Sequence, residues 1–280
     1  MDVARISFLC SAIMFSAIAS AQDPAEFSLP PDIQEKLVVH AKTERPLRSL
    51  ASYVAVLQID NKGNFGKEEL VDARRDLVRL DNGLTGTVGS SAFRNGKAQG
   101  GSQELSLCGF IAVLTESAST TDTSTTTTVP IDKRFVSFGF RSSVDFSRRF
   151  RVVSLEASVP SVCNPAPGTE FTYKTETEYT LKTVGKFLGT RTTTGRRTDT
   201  GTCKVSKDVE PAAKINPALQ GDAVIVDCET ETGAGRKDSS KRAFLRDASY
   251  YLTIEETLGG VQRTSYQYPE VSYRKADETH

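Results

Sequence analysis

Apolar and polar positions alternate most regularly in Glu170–Lys182 (EFTYKTETEYTLK). Phe171, Tyr173, Thr175, Thr177, Tyr179 and Leu181 fall on one face of an extended chain. Glu170, Thr172, Lys174, Glu176, Glu178, Thr180 and Lys182 fall on the other. A period of two with one charged face predicts a half-buried antiparallel strand. Val136, Phe138 and Phe140 begin the same trend, and Val144, Phe146, Phe150 and Val152 continue it. Ser52–Asp60, Leu105–Thr115, Ala223–Thr232, Ser249–Leu258 and Gln262–Tyr268 read as further strands. Polar or Gly-rich turns separate them, at 61–64, 233–240 and 259–260. Thr183–Gly201 contains Gly185, Gly189, Gly195 and Gly201, which predicts one or two hairpins.

Two segments have a helical pattern. Pro31–Lys42 starts with proline and places Ile33 and Leu37 four apart. Lys67–Leu80 spaces Leu70, Ala73, Leu77 and Leu80 helically and is followed by Asn82-Gly83, a helix stop. Residues 83–104 are dense in Gly and Ser and read as loops and turns. Ala118–Thr128 is a Thr-rich tract that reads as a polar loop, an edge strand or a linker. The expected fold is mainly β. It is an antiparallel sandwich or meander of roughly eight to twelve strands with one or two short N-terminal helices.

The first residues describe a secretory leader. Arg5 gives a short basic start, Ile6–Ile18 is mostly apolar, and Ala19-Ser20-Ala21 offers small residues at a cleavage site before Gln22. The apolar run is shorter than the roughly 20 residues a membrane span needs. Phe8-Leu9 before Cys10 exclude a lipoprotein site. The expected organisation is then a leader at 1–21, a mixed α/β region at 22–117 and the Thr-rich loop or linker at 118–130. An antiparallel β region at 131–280 follows, separate from 22–117 or continuous with it.

Export gives the remaining cysteines a meaning. Cys108, Cys163, Cys203 and Cys228 read as two disulfides in an oxidising compartment. The pairing favoured is Cys203–Cys228, between two strand-like flanks, with Cys108–Cys163. The first bond contributes roughly 3–4 kcal/mol in the loop-entropy view. No two cysteines are spaced C-x-x-C, and the histidines are His40 and His280 alone, so no metal centre is expected.

Charge is balanced, with Lys+Arg 35 and Asp+Glu 35, which gives no support to nucleic-acid binding. No G-x-S-x-G, H-E-x-x-H or P-loop is present. Asp60–Asn64 has the look of a calcium loop, but Lys62 and Phe65 break the pattern and it reads as a turn. Glu176 with Glu178, and Glu229 with Glu231, place paired carboxylates about 6.5–7 Å apart along one strand face. Lys174 and Lys182 share the first pair's face, as on an ordinary solvated strand. Arg148, Arg149 and Arg151 flank Phe150; Arg191, Arg196 and Arg197, and Arg236, Lys237, Lys241 and Arg242, lie near turns. Converged in space, they would suit a polyanion such as lipid phosphates or an acidic polysaccharide. Tyr250, Tyr251, Tyr266, Tyr268 and Tyr273 suit either a ligand groove or cross-strand packing.

No catalytic residue, cofactor or metal is assigned. The function expected is non-catalytic binding or a structural role, periplasmic or extracellular, with an envelope component or a protein as partner. An envelope hydrolase and an outer-membrane barrel are the alternatives.

Overall fold

The computed structural model describes residues 29–41, 47–61, 69–80, 82–93, 98–131, 134–185 and 189–275; side chains at 61, 69–70, 93, 98–99, 121–143 and 275 are outside the description. The expected leader, His280 and most of the calcium-like turn therefore lie outside the described residues.

Helix α1 (Pro31–Val38) runs into a short 3₁₀ turn (Val39–Ala41). Twelve strands follow: β1 (Arg48–Asn61), β2 (Glu69–Arg79), β3 (Thr85–Phe93), β4 (Ala98–Leu107), β5 (Ile111–Ile131), β6 (Arg134–Ala157), β7 (Glu170–Gly185), β8 (Gly189–Pro211), β9 (Asp222–Thr232), β10 (Lys237–Leu245), β11 (Tyr250–Leu258) and β12 (Gln262–Lys275). Each pairs antiparallel with its sequence neighbours, and β1 pairs with β12 from Arg48↔Lys275 to Asn61↔Gln262. The sheet closes into a barrel. The mainly β antiparallel class is as expected, but the sheet is a closed barrel rather than the sandwich or meander expected. Local alternation reports only that one face is buried, which holds for both. What distinguishes them is a pairing between chain ends, such as the hydroxyl contact of Ser52 with Ser272 at 2.7 Å.

Three other expectations are corrected. Lys67–Leu80 is not a helix: β2 buries Val71, Ala73 and Leu77 on one face and exposes Arg74, Asp76 and Val78 on the other. Residues 83–104 are not loops, since β3 and β4 occupy most of them. Their small residues serve close packing. Gly89 pairs with Arg75, and a Cβ at Gly89 would collide with the Arg75 side chain. Leu105–Thr115 is not one strand: the chain turns at Cys108 (φ 47°) and Gly109 (φ 72°). The Thr-rich tract belongs to β5 and is paired with β6 along its whole length, from Ala118↔Ser147 to Thr128↔Ser137. Thr183–Gly201 forms a single hairpin, closed at Gly185↔Gly189, and Gly195 and Gly201 lie within β8.

Two cores result. The first joins Ile33 and Leu37 of α1 to Leu107, Phe110, Val113, Val152, Phe171, Val226, Phe244, Tyr251 and all four disulfide cysteines. The second holds Leu50, Ala55, Ala73, Leu77, Ala243, Leu245, Tyr250, Leu252 and Tyr268, with Ala212, Leu219 and Ala248 from short turns. Neighbours along β10 and β11 alternate between them: Phe244 and Tyr251 enter one, Ala243, Leu245, Tyr250 and Leu252 the other. Burying a side chain such as Leu245 or Phe244 is worth about 1.5–3 kcal/mol relative to exposure.

The disulfides are Cys108–Cys163 and Cys203–Cys228. The second joins directly opposed residues of β8 and β9, which explains why strand flanks marked that pair.

Candidate functional site

The strand registers decide what each face carries. A groove of about 800 Å³ crosses β6 to β11. One cross-strand row through it is Glu156–Lys174–Thr200–Glu231–Lys237. The next is Thr172–Thr202–Glu229–Ser239–Thr257. These positions are opposite in parity to the buried Phe171, Cys203 and Cys228 and are themselves exposed or half-buried, so on these strands they form the outward wall. Neighbours in a row stand ~4.8 Å apart, which sets acid beside base and hydroxyl beside carboxylate. The groove therefore offers donors and acceptors in register, on strands held rigid by the Cys203–Cys228 bond behind them. Such a surface suits a ligand rich in hydroxyl groups.

The two glutamate pairs have different fates. Glu229 and Glu231 are exposed in the groove. Glu176 and Glu178 are committed to arginine. Arg151 donates to Glu178 at 2.6 Å, and Arg196 contacts Glu178 and Glu176. Hydrogen bonds from Arg151 and Arg196 hold the Glu178 carboxyl below its ordinary value. A carboxylate kept ionised in this way is a poor general acid.

The arginines do not form one patch. Arg149, Arg151 and Arg196 lie on the outward face and pair with Glu116, Glu178 and Glu176. Arg148 lies on the opposite face with Phe150 and Val152. Arg197 joins them, with its guanidinium over the Phe150 ring at 5.5 Å and its Nε 3.0 Å from Asp199. The sequence cluster is thus split by strand parity.

The C-terminal tyrosines are packing residues. Tyr251 is buried and donates to the Val162 carbonyl at 2.8 Å. Tyr268 donates to the Thr253 carbonyl and meets Tyr53 edge-on at 5.4 Å. Tyr266 donates to Glu256 at 2.6 Å. Tyr250 lies against Gly109, where a Cβ would strike its ring. Tyr273 accepts from the Gln220 backbone. Burial pushes every one of these phenols up, and Tyr53 up to about 12.

The interior also holds charges that the sequence does not place there. Glu104 is raised by burial, with Arg75 and Arg242 acting against the shift. Arg242 donates to the Phe110 carbonyl and lies over the Phe110 ring at 4.9 Å. Asp199 is raised by burial as well, against Arg197 and Arg236, and its Oδ1 lacks a partner among the described residues.

No family model matches the chain, and no curated protein or solved structure does.

His40 sits at the 3₁₀ turn, its pKa lowered by burial. Ser161 reaches only its backbone carbonyl, at 2.9 Å, so the two do not form a nucleophile–base pair in this geometry. Among the described residues, no three His, Cys, Asp or Glu side chains converge in a way that could hold a metal ion.

Proposed function

We infer that the protein is exported and acts as a non-catalytic binding or structural component of the cell envelope or extracellular space. The outward groove of β6–β11 is its ligand site. The observation that carries this reading is the pair of in-register rows, Glu156–Lys174–Thr200–Glu231–Lys237 and Thr172–Thr202–Glu229–Ser239–Thr257. Side chains presented at fixed spacing on disulfide-braced strands need little reordering to bind, which is where affinity is usually lost. The two disulfides support an oxidising compartment. No helix among the described residues is long and apolar enough to cross a membrane, which leaves the strands to be weighed.

The closed barrel favours a second reading, an outer-membrane protein. The composition of the outward wall weighs against it. Lys174, Glu176, Glu178, Lys182, Arg196, Lys204, Asp227, Glu229, Glu231, Lys237 and Lys241 all occupy that face of β7–β10. Charges against lipid cost about 2–4 kcal/mol each at the membrane midplane for Arg or Lys.

Cell fractionation combined with a thermal-shift screen against neutral oligosaccharides tests the reading. The protein is expected in osmotic-shock fluid or medium. One oligosaccharide is expected to raise its Tm, and Lys174→Ala with Glu231→Ala is expected to abolish that rise. Release by detergent alone supports the membrane barrel instead.

A further inference from the structure

Strands β5 to β8 carry a second set of exposed side chains on the face opposite the groove, which in the closed barrel is the inner one. Cross-strand registers set Ser119, Phe146, Thr183 and Arg191 in one row and Ser117, Arg148, Leu181 and Thr193 in the next. Thr115, Phe150, Tyr179 and Gly195 form a third row, and Val152, Thr177 and Arg197 a fourth. Arg148 and Arg191 are exposed, and Arg197 is 45% exposed at its side chain. Phe146, Phe150, Tyr179 and Leu181 are half-buried between them.

The charge on this face is one-sided. Across these four rows it bears three arginines and no acid; Arg197 is paired with Asp199 just beyond the last row, and Glu104 flanks Thr115 on β4, so the unmatched charge is that of Arg148 and Arg191. The outward face of the same strands matches its arginines with Glu116, Glu176 and Glu178. Among the described residues neither Arg148 nor Arg191 forms an ion pair. From strand geometry, Arg191 and Arg197 stand ~20 Å apart along β8, with Arg148 ~10 Å away across two strands. That separation is too long for one phosphate and suits an extended chain of anionic groups.

We propose that this face binds a linear anionic glycan, with Arg148, Arg191 and Arg197 holding its carboxylate or sulfate groups. Guanidinium forks match both groups. The half-buried rings provide an apolar bed for sugar faces. Nucleic acid fits less well, because base stacking needs free ring faces. Phe150 is already covered by Arg197 on its face and packs against Tyr179 at 6.4 Å. The proposal rests on export only for access to such polymers, and binding is measured on purified protein.

The test is calorimetric titration with heparin, with polygalacturonate and with an oligothymidylate at about 0.15 M ionic strength. Wild type is expected to bind one or both glycans. Heparin alone identifies sulfate as the group read, and polygalacturonate alone identifies carboxylate. Arg148→Ser with Arg191→Ser is expected to weaken binding about tenfold or more, since each charged hydrogen-bonding group lost matters at this scale. Arg148→Lys with Arg191→Lys should retain part of the affinity. Lys174→Ala with Glu231→Ala, in the groove, should leave it unchanged, so failure of the groove reading and failure of this one are told apart. Binding to neither glycan overturns the proposal. So does a serine variant that binds like wild type, or tighter binding of the oligothymidylate.

Discussion

Tyr173 of β7 lies across Gly201 of β8, its directly opposed partner, and its hydroxyl contacts Thr230 Oγ1 at 2.9 Å on the next strand. Tyr179 and Gly195 repeat the arrangement three same-face rows on, and Arg75 with Gly89 repeats it between β2 and β3. In each pair a large side chain occupies the space a cross-strand Cβ would fill. Covering a strand glycine in this way offsets its weak packing. Gly201→Ala is therefore expected to destabilise the fold by about 1–3 kcal/mol. Tyr173→Ala in the same chain should relieve part of that loss. Urea denaturation of the two single variants and the double variant checks the coupling.

The two disulfides should contribute unequally. Cys108–Cys163 closes a separation of 55 residues and Cys203–Cys228 one of 25. In the loop-entropy view, replacing either pair by alanine costs roughly 3–4.5 kcal/mol, the longer loop more. Denaturant midpoints of the two double variants measure the order.

Tyr251→Phe removes one hydroxyl and leaves the Val162 carbonyl without its donor. The expected loss is about 1–3 kcal/mol, the cost of a buried group left unsatisfied. Equilibrium unfolding of this variant checks it.

Two carboxylates should respond oppositely to acid. Glu178 sits below its ordinary value of 4.5 in the folded protein. Its contribution is complete above 4.5 and is lost as pH falls through the lower folded value. Asp199 sits above its ordinary value of 3.8. Its buried charge costs stability above the raised value, and that cost is relieved as pH falls from there toward 3.8. Stability of Glu178→Gln relative to wild type should rise in acid below 4.5. Stability of Asp199→Asn relative to wild type should fall as pH is lowered toward 3.8. Urea titrations across that range read both signs.

How much of this was legible depends on whether a signal is local. The alternation from Phe171 to Leu181 placed β7 because a half-wet strand writes its period into its own residues. Pro31, Ile33 and Leu37 placed α1 for the same reason. In β2, Leu70, Ala73, Leu77 and Leu80 satisfy a helical spacing, while Val71, Ala73 and Leu77 satisfy a strand one, and only pairing with β1 and β3 chooses. Gly195 and Gly201 read as turns because glycine marks a bend and a close approach alike. Arg148 and Arg149 belong to opposite faces, a division that parity carries but proximity in sequence hides. Closure of the barrel through β1 and β12 leaves no local trace.

We propose an exported, disulfide-braced barrel that holds a ligand without transforming it. Native mass spectrometry on protein recovered from its own envelope or medium tests this most directly. The expected mass is that of Gln22–His280 less four hydrogens, with a non-covalent species that the Lys174→Ala, Glu231→Ala variant does not retain. A mass that includes the leader, or four free thiols, contradicts it.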